Sequence, residues 1–154
     1  MRNNFRQFAF EFTATQEQAK YLFDMIFVLK RYNAGEIDVD DIASPFDQFC
    51  EMSDLGGMDF DTEYDEERYI VKMSSTGYGN IALVSELIKF MLANFDREDA
   101  IKFAWADSCG SPNVGEFHGG AMIVTKTKIM EIATYDILSW DLETWNLVKS
   151  RTKR

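Results

Sequence analysis

Phe8-Ala9-Phe10-Glu11-Phe12-Thr13-Ala14-Thr15-Gln16-Glu17-Gln18 holds a strand, a turn and the start of a helix in eleven residues. Phe8, Phe10 and Phe12 alternate with Gln7, Ala9 and Glu11, the period of a strand with one buried face. Thr15 and Gln18 have the spacing of a capping box, in which the hydroxyl accepts one orphan N–H and the amide reaches back to another. Ala19, Leu22, Phe23, Ile26 and Phe27 then recur at helical spacing, which predicts a helix to about residue 31. Lys30 and Arg31 suit the negative end of its dipole, and Asn33-Ala34-Gly35 closes it.

Downstream, the same punctuation repeats. Ser44-Pro45 reads as a helix opening, with Ser as cap and Pro in the first turn. A short helix through Phe46, Phe49, Cys50 and Met52 would end at Gly56-Gly57. Segments 58–64 and 68–74 read as strands joined by Asp65-Glu66-Glu67. The loop 75–80 caps a second helix over 81–95, whose Val84, Leu87, Ile88, Met91, Leu92 and Phe95 share one face. Segment 101–108 alternates as a strand, 109–115 is rich in turn residues, and 119–125 is a further strand. From about residue 129 the pattern predicts helix or turn, with Thr134 and Ser139 as caps and Leu142, Trp145 and Val148 as docking residues. The resulting order predicts a single α+β domain over 1–154, a two-layer sandwich with a ferredoxin-like split β-α-β-β-α-β core. An acidic insertion and hairpin, 36–67, follows the first helix, and a C-terminal helix ends the chain.

Composition bounds the function. The chain has 154 residues, 46% apolar and 14% aromatic, enough for a real core. Its formal net charge is −10, which argues against direct nucleic-acid binding. Two cysteines make a poor disulfide framework, so Cys50 and Cys109 are expected as thiols. No apolar run approaches the roughly 18 residues of a membrane span, and no signal-peptide core opens the chain. A soluble protein of the bacterial cytoplasm is expected.

The charge is concentrated. Thirteen of the 26 acidic residues lie in 36–67, where no Lys or Arg occurs. At strand spacing, Asp59, Asp61 and Glu63 would lie on the face opposite Met58, Phe60, Thr62 and Tyr64. Their separation of about 6.6–7 Å resembles that of successive phosphates along a nucleic-acid strand. Asp59, Asp61, Glu63, Asp65, Glu66 and Glu67, with Asp38, Asp40 and Asp41, are therefore the candidate binding residues for a basic surface. Counted as a calcium loop from Asp59, the sixth residue is Tyr64 and the twelfth Ile70, so no EF-hand is present. The loop 75–80 lacks the Lys and Gly spacing of a phosphate-binding loop. Neither metal nor cofactor is assigned.

Two alternatives come from other residues. Around the loop 105–120, Asp107, Cys109, Glu116 and His118 would cluster if the flanking strands pair. Those side chains suit a Cys–His pair with an orienting carboxylate, or a zinc ligand set. Exposed aromatics instead suit a structural or regulatory homo-oligomer, with a homodimer the simplest form.

Trp105, Cys109, Pro112, Gly115-Glu116-Phe117 and Gly119-Gly120, followed by Ala121-Met-Ile-Val-Thr125, resemble a group of small, acidic, uncharacterised proteins of phages, plasmids and other mobile elements. The aromatic strand 8–12 and its Thr-capped helix fit the same group, which has Gly where this chain has His118. The resemblance implies a genomic setting in which small acidic proteins block host defence by imitating nucleic acid, as anti-CRISPR proteins and other DNA mimics do. The expected partner is a host protein with a basic surface, and the expected protein is not an enzyme.

Overall fold

A computed structural model describes residues 4–54, 56–77, 79–109 and 118–133. Strand β1 (Asn4–Thr13) runs into helix α1 (Gln16–Asn33) through the predicted capping box: Thr15 Oγ1 accepts from Gln18 N at 3.2 Å, and Gln18 Oε1 accepts from Thr15 N at 3.0 Å. Two 3-10 turns, Val39–Asp41 and Phe46–Phe49, and the short helix α2 (Cys50–Asp54) follow. The hairpin β2 (Asp61–Asp65) and β3 (Ile70–Ser75) leads to α3 (Ile81–Asn94). Strands β4 (Ile101–Cys109), β5 (His118–Val124) and β6 (Ile129–Ala133) complete the described chain.

The six strands form one antiparallel sheet in the order β2-β3-β1-β4-β5-β6. Register carries the apolar face of β1 across it. Phe8 faces Ser75 on one side and Trp105 on the other, and Phe10 faces Met73. Phe10 also stacks on Phe103 with ring centroids 4.3 Å apart. Leu22, Met25 and Leu29 of α1 and Leu83, Val84, Leu87 and Met91 of α3 are fully buried in one core with Val71, Met73 and Val124. Each such side chain contributes about 1.5–3 kcal/mol by leaving water. The two long helices thus cover one face of the sheet. The opposite face carries Ala9, Glu11, Lys72, Lys102, Ala104 and Ala121, all exposed.

Three expectations are corrected. The strand placed over 58–64 begins only at Asp61. The carbonyls of Asp59 and Phe60 are taken by Ser75 Oγ (2.7 Å) and Lys30 Nζ (2.6 Å), so they do not join the ladder. Met58 makes only an isolated bridge with Gly79. Ser44 does not cap a helix: Pro45 itself stands before the 3-10 turn, and its carbonyl accepts from both Gln48 N and Gln48 Nε2. Ile129–Ala133, expected as helix or turn, is a strand paired along β5. Thr134, Ser139, Leu142, Trp145, Val148 and the C-terminal helix lie outside the described residues.

Candidate functional site

Strand β2 pairs only with β3 among the described residues, so its other edge is open. Its orientation is fixed from the inner side. Tyr64 Oη donates to Ala14 O at 2.9 Å, tying the end of β2 to the turn into α1. Lys30 Nζ, in the last turn of α1, holds Phe60 O just before β2 and lies 5.0 Å from the Phe60 ring centroid. With Phe60 and Tyr64 turned inward, Asp61, Glu63 and Asp65 turn to the face opposite α1 and α3, because successive strand residues point to opposite sides. Asp61 and Glu63 are exposed. Asp65 is half-buried, because its Oδ1 accepts from the backbone N–H of Glu67 and of Arg68 at 3.1 Å each. That turn leaves Glu66 and Glu67 exposed at its tip.

Asp59 extends the row at the other end. Its carboxylate lies over Gly77, where a Cβ would sit 2.5 Å from Oδ2, so a side chain at 77 would displace it. Next to β2, Lys72 faces Glu63 across one ladder and Glu11 across the other. Lys72 forms no ion pair with either, and Lys72 and Lys102 bring positive charge to this face. Glu11 belongs to the acidic surface, although its sequence position lies far from the acidic segment. Its place in the alternation of 8–12 is the signal that could have found it.

Asp38, Asp40 and Asp41 are exposed but lie outside strand β2. They form a turn of their own, in which Asp41 Oδ2 accepts from Asp38 N at 3.2 Å. This second group gathers at the C-terminal end of α1, where Tyr32 Oη donates to Asp54 Oδ2 at 3.0 Å. That hydrogen bond raises the Tyr32 phenol above its ordinary range, with partial burial and the charges of Asp54, Cys50 and Asp38 adding to it. The acidic segment therefore presents its carboxylates on two elements, the turn Val39–Asp41 after α1 and strand β2 with its turn. Of its thirteen carboxylates, only Glu36 is ion-paired among the described residues, to Arg31 at 3.2 Å.

The loop alternative is placed only in part. β4 and β5 do pair, with Asp107 opposite His118. Asp107 is engaged elsewhere: Arg6 Nε and Nη2 donate to its two oxygens at 2.8 and 3.0 Å, a bidentate pair that raises the Arg6 pKa. Glu116 and the side chains of Cys109 and His118 lie outside the described residues. Cys50 is a free, buried thiol whose pKa is raised by burial and by the nearby Asp54 and Asp47, so it packs as a small apolar group. Among the described residues no group of three or more His, Cys, Asp or Glu is placed to hold a metal. No described helix is long and apolar enough to cross a membrane.

Fold and surface together define an α+β protein with an acidic sheet edge. No protein-family model, curated protein or solved structure matches the chain.

Proposed function

We propose that the protein is a non-enzymatic acidic binding protein that occupies the basic groove of a host nucleic-acid-handling or defence protein. One observation carries this reading: a sheet edge open among the described residues holds Asp61, Glu63 and Asp65 in fixed register, flanked by Asp59, Glu66 and Glu67, and none of these carboxylates is ion-paired to a lysine or arginine among the described residues. A floppy acidic tail would offer the same charge without the spacing. Ordered carboxylates on a strand repeat at about 6.6–7 Å and meet a groove built for phosphates without first losing conformational entropy. The resemblance to small proteins of phages and plasmids supports the same setting, a bacterial cytoplasm. The order β2-β3-β1-β4, crossed by α1 and α3, supports reading the first four strands as a ferredoxin-like split unit extended by β5 and β6.

The test is capture of partners from bacterial extract by the full chain at about 50 and about 500 mM salt, where screening lengths differ severalfold. Wild type should retain a nucleic-acid-binding protein at low salt, release it at high salt, and lose it to competing DNA or RNA. The quadruple variant Asp61→Lys, Glu63→Lys, Glu66→Lys, Glu67→Lys should retain none. Salt-independent capture, or capture by the variant, counts against the proposal. A second reading, a homodimer, is favoured by Met130 and Ile132 of β6, which are 49% and 41% exposed on one side of the last described strand.

A further inference from the structure

A second site lies under the helices, away from the acidic edge. Helix α3 packs on β5 and β6, and a cavity of about 240 Å³ opens there. Liquid water occupies about 30 Å³ per molecule, so this is room for roughly eight waters or one small organic group. Met52, Ile81, Met122 and Ile129 give it apolar walls, and Arg6, Glu86 and Glu131 bring charge to it. Ser85, also part of its lining, has no exposed surface, and its Oγ has no hydrogen-bond partner. A hydroxyl in the middle of a buried helix without a partner is rare in native proteins and calls for an explanation, which a polar group received in the cavity would supply.

The charges set the sign of what is received. Arg6 is already neutralised by the two-pronged bond to Asp107 and lies 4.8 Å from the Trp105 ring centroid. Among the described residues neither Glu86 nor Glu131 forms an ion pair, although the charge of Glu131 also acts on Arg6 from a distance. With Asp107 offsetting Arg6, the balance around the cavity is negative, with Glu86 and Glu131 above apolar walls and a hydroxyl able to accept a hydrogen bond. We propose that this cavity binds an organic cation, an ammonium or guanidinium on a short aliphatic stem: the stem packs among Met52, Met122 and Ile129, and the cationic head meets Glu86, Glu131 and Ser85. The chemistry is shared by a free alkylamine and by a Lys or Arg side chain of a partner protein. It involves none of the carboxylates of β2, so its failure would leave the proposed function standing, and the reverse also holds.

The full-length protein is titrated with pentylammonium at neutral pH and followed by amide chemical shifts, with 1-pentanol and pentanoate as neutral and anionic controls. Pentylammonium should give saturable shifts at Ala82, Ser85, Glu86, Met122 and Glu131, and the controls none. Glu86→Gln and Glu131→Gln, each checked for a folded spectrum, should each weaken binding by about fivefold or more, and Ser85→Ala should weaken it too. Nα-acetyl-lysine N-methylamide separates the sources. Binding of both cations assigns the site to a protein side chain, and binding of pentylammonium alone assigns it to a free amine. Equal binding of 1-pentanol, no saturable shift with pentylammonium, or unchanged affinity in the Glu86→Gln, Glu131→Gln double variant would overturn the assignment.

Discussion

Gly57 fastens the acidic segment to the second long helix. Its φ is +82°, and a Cβ there would stand 2.6 Å from Asn80 Cβ and 2.9 Å from Asn80 N. Asn80 is the hub of this junction: its N–H donates to Gly57 O, its Nδ2 to Gly56 O, and its Oδ1 accepts from Leu83 N as the cap of α3. Gly57→Ala should therefore cost about 2 kcal/mol or more, combining a left-handed backbone with a backbone clash and a weakened cap. Gly35 has a similar φ of +77° but open space around it, so Gly35→Ala should cost only about 1 kcal/mol. Urea unfolding of the two variants checks the difference, and equal losses would refute the steric account. A second residue-level prediction concerns acid. Arg97 holds the Asp99 carboxyl below its ordinary range by a hydrogen bond, and Lys126 does the same for Asp96. A carboxylate whose folded pKa is depressed contributes stability above its unfolded value of about 3.9, and loses it as pH falls through the folded value. Asp99→Asn should shallow the acid limb of the stability curve below about pH 4 and leave its slope near neutrality unchanged, as followed by thermal melts across pH.

Strand β2 shows how one element depends on distant anchors. Tyr64→Phe removes the bond to Ala14 O and should cost about 1 kcal/mol, with faster amide exchange confined to β2 and β3. Uniform loss of protection would mean that β2 is not a separable edge. Such anchors also explain what the sequence alone made legible. β1 and α1 were readable because period, cap and dipole residues all act within a few positions of one another. The last described strand, Ile129–Ala133, was not. It has apolar residues on both faces and the polar Glu131 on the inner one, so neither a period of two nor one of 3.6 stands out, and pairing with β5 decides. The acidic charge was visible, but its division was not. It depends on Lys30 meeting Phe60 and Tyr64 meeting Ala14, contacts 30 and 50 residues apart. Arg6 and Asp107 are 101 positions apart, and nothing local to either announces the other. The cavity beside Ser85 was hidden for the same reason, since residue 85 reads as one more position of an apolar helix.

For the molecule as a whole, the acidic surface opposes the fold that displays it. A net charge of −10, with half the carboxylates in 36–67 and one of those ion-paired among the described residues, is self-repulsive at low ionic strength. Raising salt from about 20 to about 500 mM shortens the screening length to well below 10 Å and should raise the melting temperature by several degrees. Asp61→Asn, Glu63→Gln, Glu66→Gln and Glu67→Gln together should give a protein that starts more stable at low salt and gains less from added salt. Under the proposed function, the same four changes abolish partner capture. Stability and binding then move in opposite directions, the pattern expected when charge is kept for a partner at the expense of the isolated fold. If the charge served solubility alone, the neutral variant would keep its partner and differ only by aggregating at lower concentration. Melting curves at the two salt concentrations, light scattering and capture assays on one preparation distinguish these outcomes. A lower melting temperature for the variant at low salt would show that the carboxylates are held by attractive contacts, and the electrostatic argument for a basic partner would fail with it.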